Sequence, residues 1–207
     1  MLQQTQVERV IPRYLDWLAR WPTAESLAAV SAADVIRAWQ GLGYNRRGLN
    51  LHRAAIQIAK SGWPDDLTEL PGVGPYTAAA VRCFAHGDDV LPVDVNVARV
   101  QRRTGQLFSS AAAQALMDLG ATVCLARIAR CVECPLAAAC PSRGIREEPE
   151  RKQGPFAGSF RQRRSTTLRA LVESPRDLAE LDGEAVRSLE RDGLVVVEEG
   201  RLVALPR

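Results

Sequence analysis

The pattern of apolar and polar positions is plainest at the C-terminal end. "STTLRALVESPRDLAELDGEAVRSLERDGLVVVEEGRLVALPR", residues 165–207, reads as helix, short helix, helix and two strands. The strands span Leu194 to Val197 and Arg201 to Leu205 and turn at Gly200, an order that predicts a small winged-helix-like module. Upstream, "LPGVGPYTAAAV" from Leu70 to Val81 reads as helix, tight hairpin, helix: two glycines flank one apolar residue, and a helix-forming run follows. "SSAAAQALMDLGA" predicts one further helix, with Ser109 or Ser110 as its cap. No stretch approaches the ~20 apolar residues that span a bilayer. The residues from Met1 onward show neither the basic run nor the apolar run of a signal peptide. The expectation is a mainly α-helical, cytoplasmic protein with no membrane partner.

Charge changes this picture by its distribution. The net charge is only +3 over 207 residues. Between Val35 and Lys60, however, stand five basic residues and no acid, and between Cys124 and Arg169 ten basic residues face four acids. From Ala170 to Arg207 the balance reverses, five basic against nine acidic. Two basic zones in a near-neutral chain point to a polyanion surface; ordinary solvated helix faces are the alternative.

Four of the five cysteines fall in one run, Cys124-x6-Cys131-x2-Cys134-x5-Cys140. In a reducing compartment such crowding argues for a metal rather than for disulfides. Zinc ribbons bring two C-x2-C knuckles from separate places, whereas here one loop supplies every thiolate and only one pair has knuckle spacing. Four converging thiolates suit a [4Fe-4S] cluster, whose irons need one sulfur ligand each. Structural zinc is the alternative. Pro135 and Pro141 each follow a ligand and stiffen the loop. Cys83 stands apart in "AAAVRCFA" and reads as a small buried apolar residue.

At the hairpin, Gly72 and Gly74 permit backbone angles and close approaches that a Cβ would block, and the turn offers amide N–H groups to a phosphate oxygen. A plain helical hairpin is the alternative. About twenty residues on, "LPVDVNVARVQRRTG" sets Asp94 among apolar residues, followed by Asn96, Arg99, Arg102 and Arg103. An aspartate ahead of a helix is commonly an N-cap, and that role is compatible with catalysis.

Hairpin, aspartate and cysteine loop, in that order, resemble the helix-hairpin-helix DNA glycosylases that carry an iron–sulfur cluster. "MLQQTQVERVIPRY", "WQGLGYNRRGLNLHRAA" and "MDLGATVC" resemble, within that group, the MutY-type adenine DNA glycosylases, which act on A opposite 8-oxoguanine or G. The resemblance covers about residues 1 to 144. It implies a two-lobed fold with a helix-hairpin-helix domain over 1–93, an iron–sulfur cluster domain over 94–144, a basic linker over 145–164 and the winged-helix-like module over 165–207. It implies a monofunctional glycosylase, monomeric and nucleoid-associated in a bacterial cytoplasm, whose partner is double-stranded DNA with a mispaired base.

By the same resemblance Asp94 is catalytic, with Asn96 its polar support and Tyr76 near the scissile sugar. Bifunctional relatives place a lysine at the Tyr76 position, so little lyase activity is implied. Gln3 and Gln4 enter the duplex and Tyr44 intercalates. Arg46, Gly72, Val73, Gly74 and Thr77 meet DNA, Arg127 and Arg130 meet phosphates, and Asp118 lies near the base pocket. Cys124, Cys131, Cys134 and Cys140 hold the [4Fe-4S] cluster.

Three departures accompany the likeness. The family's general acid, a glutamate, falls two residues before Met1, outside this sequence. Glu8 is the nearest carboxylate, and at ~1.5 Å rise per residue it would stand about 15 Å along the helix from that position. Leu116 of "LMDLG" follows Val97 of "VARVQRR" by about twenty residues, where the family has about twice that, so apolar surface is expected to lie open in the cluster domain. Asn45 stands where a second tyrosine is common. The alternatives are a thymine or uracil glycosylase acting on G mispairs, against which "LQQTQV" argues, and a catalytically impaired cluster-bearing DNA-binding protein.

Overall fold

Helix α1 (Val7–Arg20) carries Val10 and Trp17 inward and continues through Pro12. Trp17 meets Trp21 and Trp39 edge-on, with ring centroids 4.7 and 5.5 Å apart. Helix α2 (Ala24–Ala28) opens with a reciprocal capping box between Thr23 and Ser26. The Ser31 side chain caps α3 (Ala32–Ala38). Helix α4 (Arg46–Ser61) stops at Gly62, whose φ of 77° ends the helical run. The computed structural model describes residues 1–2, 5–148 and 154–207.

Two adjacent residues of α3 serve different cores. Val35 joins Val10, Trp17, Leu27, Trp39, Leu42 and Ala55. Ile36 joins Ala33, Leu49 and the apolar residues of the C-terminal segment, among them Leu168, Leu171, Val186, Leu189 and Val203. Gly48 explains how closely α4 lies on α3: a Cβ there would sit 2.8 Å from the Trp39 ring. A mid-helix glycine costs roughly 0.5–1 kcal/mol relative to alanine, and the Trp39 contact occupies the space it leaves.

The C-terminal segment contains α8 (Phe160–Glu173), β1 (Arg176–Asp177), a 3-10 turn (Leu178–Glu180), α9 (Gly183–Arg191), β2 (Val196–Glu198) and β3 (Leu202–Ala204). The sheet is antiparallel in the order β1-β3-β2. The helix order and the two final strands match expectation, and β1 is an addition too short to show a period. The three-residue link between β2 and β3 puts Glu199 and Gly200 at φ of 50° and 68°, the left-handed backbone that tight hairpins use. Strands of two or three residues do not stand alone, and the sheet packs into the same core as Ile36 and Leu49. The compact unit is therefore Met1–Asp65, Glu69–Gly72 and Gly154–Arg207 together. This differs from the expected partition into an N-terminal domain, a linker over 145–164 and a separate module, because apolar positions far apart in the chain share one interior.

The second unit comprises Asp66–Thr68 and Val73–Gln153, a different division from 94–144. It holds α5 (Pro75–Val81), a π-helical turn (Arg82–His86) closed by Gly87 in the left-handed region, α6 (Val95–Thr104) and α7 (Ala113–Thr122). Its core is Val97, Val100 and Leu116, with Leu91, Phe108, Leu119, Cys124 and Leu136 packed against it. The expected helix from Ser109 onward begins as a 3-10 turn, and neither serine caps it. Ser109 makes no side-chain cap bond, and the Ser110 hydroxyl donates to Asp89 at 2.5 Å. Leu107, in the short link from α6, is 91% exposed, in keeping with the open apolar surface anticipated there. No helix among the described residues is long and apolar enough to cross a membrane.

Because Leu189 is buried in the core shared by α3, α4 and the C-terminal segment, Leu189→Ala is expected to destabilise the first unit by about 2–5 kcal/mol. Urea unfolding followed by tryptophan fluorescence measures this. All four tryptophans of the chain lie outside the C-terminal segment, so a loss seen only by other probes would contradict a common core.

Candidate active site and nucleic-acid interface

Asp94 leads into α6 with extended backbone, and its two carboxylate oxygens have separate partners. Oδ1 accepts the backbone N–H groups of Asn96 at 2.9 Å and Val97 at 2.7 Å, which satisfies first-turn donors. Oδ2 accepts from Asn96 Nδ2 at 3.1 Å. The capping role and a chemical role are thus compatible: the cap fixes the carboxylate's direction. Burial first, and then the charge of Asp94, push the Tyr76 hydroxyl above the usual tyrosine range. Tyr76 thus lies within electrostatic reach of Asp94, which Asn96 holds, and stays a neutral hydroxyl at physiological pH.

Asn96 is itself locked. Its Oδ1 accepts from Arg99 Nη2 at 2.8 Å, and the same guanidinium donates to the carbonyls of Gly120 at 2.6 Å and Cys124 at 2.8 Å. Gly120 belongs to α7, and a Cβ there would come within 2.7 Å of Asn96 Cβ. The missing side chain lets α7 close on α6, so a continuous line of bonds joins Asp94 to the backbone of the first cysteine. Sequence reasoning gave Arg99 no role. Its spacing of three from Asn96, which puts both on one helix face, was the available signal. Asp118 stands exposed on α7 and accepts from Gln114 at 3.1 Å; no hydrogen bond among the described residues joins it to Asp94.

Cys124, Cys131, Cys134 and Cys140 all line one small cavity, partly open to solvent, with Val100, Leu119 and Leu136 in its walls. Cys83 is not among the lining residues and is half-buried rather than buried. Among the described residues no three thiols, imidazoles or carboxylates gather closely enough to hold a single metal ion. Arg103, only 3% exposed, also borders the cavity. It donates to the Leu125 and Ala126 carbonyls at 2.8 and 2.7 Å, and its Nη1 lies 3.5 Å from Cys124 Sγ. Its buried Nε has no hydrogen-bond partner among the described residues. A buried guanidinium with a spare donor fits a sulfur-rich anion.

The same arginine closes the loop at its far end. Glu147 accepts from Arg102 through both oxygens at 2.8 and 3.0 Å and from Arg103 at 2.9 Å. These bonds, Arg102's first, hold its carboxyl down at about 2.

Of the expected DNA-facing residues, Gln3 and Gln4 lie outside the described residues. Tyr44 is 56% exposed at a φ of 46°. A non-glycine residue in the left-handed region costs roughly 1–2 kcal/mol, so the turn must hold it there. Arg46 is exposed, 3.9 Å from the Asp192 carboxylate. Gly72 has a φ of 79°, and a Cβ on it would meet Asn50 at 2.7 Å. Gly74 departs from expectation: its φ of −93° is ordinary, and nothing lies within 4 Å of a Cβ built on it. Val73 and Thr77 are half-buried. Arg127 pairs with Glu148 at 3.3 Å, both exposed, a contact weak enough to exchange for a phosphate. Arg130 borders the cysteine cavity.

Comparison with known proteins gives three kinds of likeness. Residues 1–121 match the model of the HhH-GPD superfamily of base excision DNA repair proteins. The whole chain aligns over 255 positions with an adenine DNA glycosylase of Mycobacterium tuberculosis, at 40% identity and over 83% of that protein. That alignment is longer than the chain, so this chain carries gaps relative to it. The human adenine DNA glycosylase is 36% identical over 77% of this chain and 35% of its own length. Among solved structures, a thermostable thymine-DNA glycosylase superposes with a TM-score of 0.59 at 24% identity, covering 68% of this chain and 79% of that one. A trapped endonuclease III–DNA covalent intermediate gives 0.59 at 22%, over 67% and 78%. At such identities the structures speak for the fold alone.

The Glu147 clamp carries a pH signature. Its carboxyl is depressed in the folded chain, so its contribution is complete above the ordinary value of 4.5 and vanishes as pH falls toward about 2. Glu147→Gln is expected to be less stable than the parent at pH 7 and to converge on it in acid, as read from urea midpoints across that range.

Proposed function

The chain belongs to the HhH-GPD superfamily of base excision DNA repair proteins, and we propose that it hydrolyses the N-glycosidic bond of a mispaired adenine in duplex DNA, leaving an abasic site. Likeness along the whole chain to adenine DNA glycosylases supports adenine over thymine or uracil as the released base. The observation that carries the chemistry is the Asp94 carboxylate, aimed by the first turn of α6 and by Asn96.

Hydrolysis breaks the bond between C1′ and adenine, water supplies the hydroxyl that ends on C1′ and the proton taken up by the leaving base, and positive charge develops on the deoxyribose as the bond breaks. A fixed carboxylate beside that charge lowers the barrier because it needs no reorganisation as the charge develops. Asn96, held by Arg99, keeps Oδ2 from rotating away. Tyr76 offers a hydroxyl and no amine, so no Schiff base forms at this position and the strand is left unnicked. A target base must leave the stack before it can be cut; exposed Tyr44 supplies the aromatic face that fills the gap, and Gln3 and Gln4 flank it in the duplex. Backbone amides at Gly72–Gly74, with Arg46, Arg127 and Arg130, hold phosphates, which gives salt-dependent affinity without sequence readout. Asp118 borders the base pocket. The protein acts as a monomer.

Cys124, Cys131, Cys134 and Cys140 would hold a [4Fe-4S] cluster, with Arg103 beside it. When bound, that group cross-links the loop from Cys124 to Cys140 and takes no part in bond breaking.

Asparagine caps helices as well as aspartate does, so Asp94→Asn keeps the fold while removing the charge. Single-turnover base release should fall by roughly 10²–10³-fold or more, with duplex binding retained; unchanged turnover overturns the role of Asp94. The parent should release adenine from A:8-oxoguanine or A:G duplexes in preference to thymine or uracil from T:G or U:G, and the reverse order would falsify the adenine assignment. Protein purified without oxygen should contain iron and acid-labile sulfide in equal amounts, with an absorbance shoulder near the visible. Zinc without sulfide would replace the cluster and leave the catalytic reading standing.

A further inference from the structure

The turn from Gly41 to Tyr44 is unusual in its backbone. Gly41, Gly43 and Tyr44 have φ of 87°, 73° and 46°, so three of four residues lie in the left-handed region, and only two of them are glycine. A strained tyrosine persists only where its surroundings leave the chain no alternative. Here they do so through the carbonyls. Gly41 O accepts from Arg9 Nη2 at 2.9 Å. Leu42 O accepts from the Thr5 hydroxyl at 2.9 Å and from Arg47 Nη2 at 3.4 Å. Gly43 O accepts from Trp39 Nε1 at 3.1 Å and from Arg47 Nη2 at 3.4 Å.

Arg47 is the centre of this arrangement. Besides the two turn carbonyls, its guanidinium donates to Thr5 Oγ1 at 3.0 Å and to Met1 O at 3.3 Å. Its Cζ lies 5.4 Å from the centroid of the Tyr44 ring and 5.8 Å from that of Trp39, within the range of cation–π attraction. Trp39 is 2% exposed and belongs to the core. One planar cation therefore joins Met1 and Thr5 ahead of α1, the strained turn, the Tyr44 ring and the core. A lysine ammonium has the charge but lacks the fork and the flat face.

We propose that Arg47 is a positioning residue for base extrusion: it holds the Tyr44 ring pre-set outside the turn, so that the aromatic enters the base stack without first paying to order a loop. This rests on the reading of Tyr44 as the stacking residue under Proposed function. Preorganisation of this kind shows in the extrusion step rather than in general affinity, because phosphate contacts carry the latter.

The test uses the full chain and an A:8-oxoguanine duplex with 2-aminopurine next to the target adenine, whose fluorescence rises on unstacking. Arg47→Lys should weaken that rise and slow single-turnover adenine release by roughly tenfold to a hundredfold, as small displacements of positioned groups do. Affinity for matched duplex should stay within about twofold, since the positive charge is kept. In a Tyr44→Ala background the same substitution should have little further effect on unstacking. Wild-type unstacking by Arg47→Lys, or an equal loss in the Tyr44→Ala background, overturns the proposal. If Arg47→Lys lowers the melting temperature, Thr5→Val replaces it as the variant. It exchanges the hydroxyl between Leu42 O and Arg47 for a methyl group, and it should show the same coupling to Tyr44 at smaller amplitude; additivity there counts against the proposal. A parent that unstacks the duplex but releases no adenine would sink the functional reading and leave the role of Arg47 intact.

Discussion

The arrangement of the second unit depends on one half-buried carboxylate. Asp94 interrupts an apolar stretch, and an anion in such a place must be given donors. The free N–H groups at the start of α6 supply two, and Asn96 supplies a third. The requirement then propagates. Asn96 must be held, so Arg99 reaches it; Arg99 must be satisfied, so it takes the carbonyls of Gly120 and Cys124. α7 must come close enough to offer them, which only a glycine at 120 permits. Removing any one member would leave a half-buried polar group without its partner, which costs more than the bond itself contributed.

Charge elsewhere is organised by the same economy. The basic stretch leading into α8 looked in sequence like a polyanion surface. In the structure Arg163 donates to Asp182 and Glu184, and Arg164 donates to Ser188 and Asp192. The acid-rich residues after 170 are thus partners of the basic ones before it, and α9 turns Ala185, Val186 and Leu189 into the core. α9 is a packing helix, and the C-terminal segment completes the unit that carries Tyr44.

Much of the candidate site was legible because its signals are local and chemically unambiguous. Cysteine spacing marks a ligand loop without knowledge of the fold, and all four thiols line one cavity. A glycine pair before a helix marks a hairpin, and an aspartate before an apolar helical run marks a cap. Other features were not legible because they depend on what lies opposite. Gly72 and Gly74 look alike in sequence, yet only Gly72 has a neighbour, Asn50, where a Cβ would go. Tyr44 carries a family motif, but its left-handed backbone is stated nowhere in the letters. Arg99, Arg102 and Arg103 form one basic cluster in the sequence. In space Arg99 serves Asn96 and two carbonyls, Arg102 serves Glu147, and Arg103 turns to the cysteines.

The sequence by itself determined the helical class, the cysteine loop, the hairpin and the carboxylate ahead of α6. Each of these is set by residue type and short-range spacing, which steric and hydrogen-bonding rules translate directly. Only the tertiary structure decided which distant segments share a core, which arginines answer which acids, and which glycines are there for contact. Those outcomes turn on differences of a few tenths of an ångström in the separation of residues up to more than a hundred positions apart, as between Leu49 and Leu168, and no local pattern encodes them.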